Sequence, residues 1–156
     1  MTNRLKMASF FCSIFIFYSM GYARDGVKWI DNLDEAKELA KKENKKIFLL
    51  FTNSHTCVPC KKFKMSIVEQ KKFEDYARKN LILVKVDYAA LFTEKKKISD
   101  IEAEKKIPQK MANRGRGPWP YLFVLSDSGA ELYSGVANDS KYSEVKKYLA
   151  FLDSLK

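Results

Sequence analysis

Two cysteines separated by two residues stand in the sequence Cys57-Val58-Pro59-Cys60. Such a pair encloses a loop too short to stabilise a fold, because the entropy that a disulfide removes from the unfolded chain shrinks with loop length. The same spacing places the two sulfurs almost one helical turn apart, within reach of each other. The pair therefore predicts redox chemistry: Cys57 attacks a substrate disulfide, and Cys60 then attacks Cys57 and releases the reduced substrate.

The residues around this pair predict a helix that begins at Cys57. The apolar run 47–51 (IFLLF) is typical of a strand buried on both faces, and the polar loop 52–56 leads from it to the cysteines. Pro59 fits the first turn of a helix, where its missing N–H costs little. Free backbone N–H groups and the helix dipole stabilise a thiolate at such a position. Cys57 is therefore the predicted nucleophile and Cys60 the predicted resolving thiol.

A metal site is the competing interpretation of the same cysteines. One Cys-x-x-Cys pair supplies half of a structural zinc site, and the sequence has no second pair. Cys57, Cys60 and the single histidine, His55, could hold copper or zinc with an outside ligand, as a copper-binding or copper-delivery module would. Copper delivery usually calls for more soft or imidazole ligands nearby. We predict no metal and no cofactor besides the Cys57–Cys60 disulfide, with His55 near the site as a modulator of the thiolate.

The first 23 residues have the layout of a secretory signal peptide. Arg4 and Lys6 precede an uncharged apolar run over 7–20, and residues 21–23 (GYA) place small residues one and three positions before a possible cut. The apolar run is shorter than the ~20 residues that a membrane-spanning helix needs. We predict cleavage after this segment, export to the periplasm, and a mature domain of residues 24–156.

Charge and cysteine content of the mature chain follow from that cleavage. It removes two of the 29 Lys and Arg residues, none of the 19 Asp and Glu residues and one of the three cysteines. The remaining 27 basic and 19 acidic residues give a formal charge of +8. Lysines are scattered along the chain, without an arginine-rich arm interleaved with aromatics. We interpret the charge as a solvated exterior, and expect a monomer that does not bind nucleic acid.

Periodicity along the rest of the chain predicts alternating helices and strands. Helices are predicted over 32–44, 57–68, 71–79, 101–111 and 142–152, and strands over 47–51, 81–87, 121–125 and 131–136. Strands that alternate with helices and end in a hairpin imply an α/β fold, with a mixed central sheet and helices on both of its faces.

From Trp29 to the C-terminus the chain resembles the thioredoxin superfamily. The resemblance rests on the order of the elements, on the Cys-x-x-Cys after the first buried strand, and on Pro120 before a later strand. It implies a thioredoxin fold in which a cis peptide bond between Trp119 and Pro120 faces the cysteines and contacts substrate. Thr56 stands where the family commonly has a tryptophan before the first cysteine, and it is assigned to the same substrate-binding surface.

Within that superfamily, residues 29–51 are similar to the corresponding segment of periplasmic reductases, namely DsbH-type proteins and the C-terminal domain of DsbD. The resemblance implies a disulfide reductase that acts on exported proteins and is recharged by a DsbD-like membrane electron donor. Val58 and Pro59 are modulating residues in this scheme, because strong oxidants place a histidine between the cysteines. Thiol reduction in cytochrome c maturation is the alternative enzymatic role.

Two further features depart from the family pattern. Thioredoxins carry a buried acid six residues before the first cysteine, which assists proton transfer at the second, whereas this chain has the apolar stretch 48–51 there. A water molecule, Lys61 or another group would have to take that role. Residues 88–117 are also longer than the corresponding part of a minimal thioredoxin, as a surface elaboration or as an insert that shapes the choice of partner.

Overall fold

The computed structural model describes residues 26–156, so the predicted signal peptide lies outside the described residues. The strands are β1 (Trp29–Ile30), β2 (Lys46–Thr52), β3 (Leu81–Asp87), β4 (Tyr121–Leu125) and β5 (Glu131–Val136). The α-helices are α1 (Leu33–Glu43), α2 (Val58–Phe63), α3 (Lys71–Asn80), α4 (Ala90–Thr93), α5 (Ile98–Glu104), α6 (Gln109–Gly115) and α7 (Val145–Ser154). A π-helical stretch (Lys64–Val68) extends α2, and a 3-10 turn (Ser140–Tyr142) precedes α7.

The five strands form one mixed sheet in the order β1-β3-β2-β4-β5. The central strand β2 is parallel to β3 and antiparallel to β4, and β4 and β5 form the predicted hairpin. Side chains of β2 alternate between two cores: Leu49 and Phe51 pack towards α1 and α5, whereas Phe48 and Leu50 pack towards α2, α3 and α7. The predicted α/β fold with helices on both faces of a mixed sheet is therefore confirmed.

Side-chain caps explain the bounds of α1. Asn32 lies before the helix in an extended conformation, and its Oδ1 accepts a hydrogen bond from the backbone N–H of Glu35 at 2.9 Å. Asn44 ends the helix in the left-handed conformation, with φ 52°. The helix predicted over 32–44 is confirmed between these two caps.

The helix predicted over 101–111 is wrong in its extent. The structure has α5 and α6 there, separated at Pro108, which has no N–H to donate and disfavours helical backbone at the residue before it. Lys106, with φ 54°, breaks the same segment. The last helix also begins later than predicted, because Tyr142 lies in the 3-10 turn. Strand β1 was not predicted, since two residues are too few for a period to be recognised.

Candidate active site

The two cysteines lie just beyond the end of β2, where the chain turns into α2. Cys57 is the N-cap residue of α2 and is joined to Cys60 by a disulfide with an S–S distance of 2.07 Å. The Sγ atom of Cys57 also accepts a hydrogen bond from the backbone N–H of Cys60 at 3.1 Å. Cys57 is half-buried, whereas Cys60 is only 4% exposed. This asymmetry suits the roles predicted for them, with Cys57 facing a partner and Cys60 shielded.

Asn53 holds the loop between β2 and α2, and sequence analysis missed it. Its buried side-chain Oδ1 accepts hydrogen bonds from the backbone N–H groups of His55 and Thr56 at 3.1 and 3.2 Å. Its backbone carbonyl accepts the N–H of Cys57 at 3.1 Å. Such side-chain to backbone bonds are typical of asparagine in turns. Asn53 thus sets the direction in which the chain enters α2.

The structure brings Trp119 and Pro120 to the cysteines. Their peptide bond is cis, which confirms the prediction for this bond. The carbonyl oxygen of Trp119 lies 3.7 Å from Sγ of Cys57. The carbonyl of Pro120 accepts the N–H of Ala137 at 2.8 Å, which ties the loop to the end of β5. A second cis bond, Gly117–Pro118, precedes this pair and was not predicted.

The remaining predicted site residues surround the pair on the exposed side. The His55 ring stacks on Phe92 of α4 with centroids 5.5 Å apart. Lys61 Nζ donates to the backbone carbonyl of His55 at 3.2 Å. Val58 is 72% exposed, and Thr56 and Pro59 are exposed beside it. Within residues 26–156, no three His, Cys, Asp or Glu side chains are grouped so that they could hold a metal ion.

A cavity of about 370 Å³ adjoins Cys60, and its lining includes Leu50, Thr52, Lys85 and Asp87. Asp87, at the end of β3, is half-buried, and its Oδ1 accepts the backbone N–H groups of Ser54 and Ala89, both at 3.0 Å. Burial alone would raise the pKa of Asp87, but these hydrogen bonds, aided by Lys85, hold that pKa below its ordinary value. A carboxylate therefore lines the cavity from β3, although β2 has no acid.

Comparison with known proteins places this site in a family. Residues 28–125, more than half of the chain, match the family model described as thioredoxin-like. The chain belongs to this thioredoxin-like family. No curated protein is significantly similar to it in sequence. Within residues 26–156, no helix is long and apolar enough to cross a membrane.

Several solved structures have the same fold. A DsbH oxidoreductase is similar with a TM-score of 0.59 and 19% identity, over 94% of this chain and 95% of that one. A thioredoxin from Thermus thermophilus has a TM-score of 0.55 and 16% identity, over 82% and 85% of the two chains. The oxidised C-terminal domain of Neisseria meningitidis DsbD has a TM-score of 0.51 and 15% identity, over 79% and 91%. At these identities the likeness establishes the fold. The fold, together with the Cys57–Cys60 pair, makes the chain a thiol–disulfide oxidoreductase.

Proposed function

We propose that this chain is a periplasmic disulfide reductase that passes electrons from Cys57 and Cys60 to disulfides of exported proteins. The observation that carries the proposal is the position of Cys57, which is half-buried at the N-cap of α2 and accepts the N–H of Cys60. A donor aimed at this sulfur favours a thiolate and hence a nucleophile. Val58 and Pro59 add no histidine between the cysteines, and such a residue would stabilise the reduced form and make a strong oxidant.

The reaction begins with both cysteines reduced. The Cys57 thiolate attacks one sulfur of the substrate disulfide, so that a mixed disulfide forms and the other substrate sulfur leaves and takes up a proton. Cys60 then loses its proton and attacks Sγ of Cys57, and the remaining substrate sulfur leaves as a second thiol. The Cys57–Cys60 disulfide closes, and two electrons have passed to the substrate.

Asp87 supplies the carboxylate for the second step. Cys60 and Asp87 line the same cavity, whose volume of about 370 Å³ leaves room for water between them. The lowered pKa keeps Asp87 ionised at neutral pH but makes it a weak base, so it accepts the Cys60 proton through water only as the Cys60 sulfur bonds to Sγ of Cys57. Lys61, which with water was an alternative for this role, donates to the carbonyl of His55 and also lines the cavity.

Regeneration of the dithiol requires an outside electron donor, and we assign this role to a DsbD-like membrane protein. The support is the fold shared with DsbH and with the C-terminal domain of DsbD. The resemblance of residues 29–51 to such reductases, noted in the sequence, points the same way. Residues 1–23 support export to the periplasm, where this donor would act.

The equilibrium redox potential of Cys57–Cys60 tests the direction of electron flow. We expect titration against a thioredoxin standard to give a potential close to that of thioredoxin, about −270 mV, and far from that of DsbA, about −120 mV. The variant Pro59→His introduces the residue type of strong oxidants and should shift the potential upwards. A wild-type potential close to that of DsbA would overturn the assignment as a reductase.

Mass spectrometry of the exported protein tests the location. The mature chain should begin at or near Arg24. An intact chain that begins at Met1 and remains in the membrane would contradict export as a soluble periplasmic protein.

A further inference from the structure

A buried acid lies behind the loop that carries Trp119. Glu102 on α5 is only 4% exposed. Arg116 donates to it twice, from Nε to Oε1 at 2.9 Å and from Nη2 to Oε2 at 2.8 Å. The Tyr88 hydroxyl donates to Oε1 at 2.8 Å. The hydrogen bonds from Arg116, with that of Tyr88, outweigh burial and hold the pKa of Glu102 below its ordinary value. Both carboxylate oxygens are thus fixed by named donors.

Both residues that donate hydrogen bonds to Glu102 are connected to the loop that carries Trp119. Arg116 follows the end of α6 and is separated from Trp119 by only Gly117 and Pro118, a cis pair. The Tyr88 ring stacks on the Trp119 ring with centroids 5.2 Å apart. One donor is therefore linked to Trp119 through a short stretch of backbone, and the other through ring contact.

We propose that Glu102 and Arg116 are positioning residues that hold the Trp119 carbonyl 3.7 Å from Sγ of Cys57. This inference rests on the function proposed above for the Cys57–Cys60 pair. It gives the segment 88–117 a defined role, because that segment supplies Tyr88, the acid and the arginine. A substrate strand that pairs with the Trp119 backbone would then meet groups that are already oriented, and binding would cost less ordering.

This ion pair differs from those on the surface because Glu102 is buried. Exposed ion pairs contribute little to stability, because water and salt screen them. The side chain of Glu102 is 5% exposed and that of Arg116 40% exposed, so the carboxylate depends on the guanidinium for its compensating charge. Lysine cannot replace arginine here without loss, because a single ammonium does not reproduce the two parallel hydrogen bonds.

The same segment offers a matched control. Arg114, two residues before Arg116, forms a similar bidentate ion pair with Glu131. Its Nη1 lies 2.8 Å from Oε2 and its Nη2 lies 3.0 Å from Oε1. Glu131 lies at the start of β5, and the Arg114 guanidinium also stacks over the Phe123 ring at 5.0 Å. This pair joins α6 to the hairpin, whereas the Arg116 pair joins α5 to the loop.

The test compares Arg116→Lys with Arg114→Lys in the purified exported protein. Steady-state reduction of a disulfide-bonded peptide, with dithiothreitol as the electron source, gives KM and kcat. We expect Arg116→Lys to raise KM for the peptide by about tenfold, with kcat nearly unchanged, and Arg114→Lys to leave KM within about twofold. Reduction of cystamine, which is too small to pair with the Trp119 backbone, and the redox potential should be unchanged in both variants.

Three outcomes separate the possibilities. Equal KM values in the two arginine variants would make the Glu102 cluster purely structural and would overturn this inference, while the proposed function stands. Failure of the wild-type protein to reduce the peptide would overturn the proposed function itself. If Arg116→Lys does not fold, Tyr88→Phe removes one donor and keeps the ring stacked on Trp119. A rise in KM of about fivefold then supports the inference, and a KM within about twofold of the wild-type value overturns it.

Discussion

At Gly115, a single added methyl group should lower the free energy of unfolding. The backbone at the end of α6 passes directly against the ring of Phe51, which is fully buried. A Cβ atom at residue 115 would lie 2.5 Å from Cε1 of Phe51, whereas carbon atoms in contact are normally about 3.5–4.0 Å apart. The rings of Tyr88 and Phe123 pack on Phe51, with centroids 6.3 and 5.6 Å away, so Phe51 cannot retreat without moving them.

The size of the effect follows from this overlap. Overpacking a core usually costs about 1–3 kcal/mol, and here the overlap is about 1 Å against a rigid ring, so we expect Gly115→Ala to lower the free energy of unfolding by about 3 kcal/mol. At about 2–4 °C per kcal/mol, the melting temperature should fall by about 6–12 °C. Activity should fall as well, because the carbonyl of Gly115 accepts the indole N–H of Trp119 at 2.9 Å.

A double-mutant cycle in urea assigns the loss to this contact. Phe51→Leu removes the ring atoms that an alanine at 115 would meet, so Gly115→Ala should cost less in that background, with a coupling energy of at least about 1 kcal/mol. Gly26→Ala is the control, since a Cβ there meets nothing within 4 Å, and it should change stability by less than about 0.5 kcal/mol. The reasoning would be refuted if Gly115→Ala lowered the free energy of unfolding equally in the wild-type and Phe51→Leu backgrounds.

Three further substitutions test other parts of the structure. Asp87→Asn keeps the oxygen that accepts two backbone N–H groups but removes the negative charge. Release of substrate from the mixed disulfide should then slow by about tenfold in stopped-flow experiments. Asp31 does not line the cavity, so the control Asp31→Asn should leave this rate unchanged. Glu102 has a depressed pKa, so its stabilising contribution is complete above the ordinary carboxyl pKa of about 4.3 and is lost as the pH falls through the folded value. Urea unfolding should therefore show that the difference in stability between wild type and Glu102→Gln narrows as the pH falls below about 4.3. Asn32→Ala removes the cap of α1 and should lower the free energy of unfolding by about 1 kcal/mol.

Local patterns explain why most of the fold could be predicted from the sequence. The run 47–51 is apolar at every position, and the structure buries all of it in the central strand. The helix predicted from residue 32 does begin there, because the side chain of Asn32 accepts the N–H of Glu35 and caps it. The placement of Cys57 at a helix start followed from a strand, a short polar loop and Pro59. Each of these signals is contained within a few neighbouring residues.

The parts of the site that sequence analysis missed depend on distant partners. Glu102 meets Arg116 and Tyr88, each 14 residues away, and nothing in the pattern of 19 acidic residues marks it as buried. Asp87 lies 33 residues from Ser54, and only the parallel pairing of β2 with β3 brings them together. Asn53 was within a recognised loop, but asparagine is too common in loops to be singled out without its hydrogen bonds.

Trapping of mixed disulfides tests the central claim most directly, namely that the chain exchanges disulfides through Cys57 and resolves them through Cys60. Reduced Cys60→Ser protein is incubated with the disulfide-bonded peptide, and covalent adducts are separated on non-reducing gels and identified by mass spectrometry. We predict an adduct at Cys57 in this variant and none in Cys57→Ser, because Cys57 is the sulfur at the helix N-terminus and Cys60 is shielded. Equal trapping by the two variants, or by neither, would contradict the account.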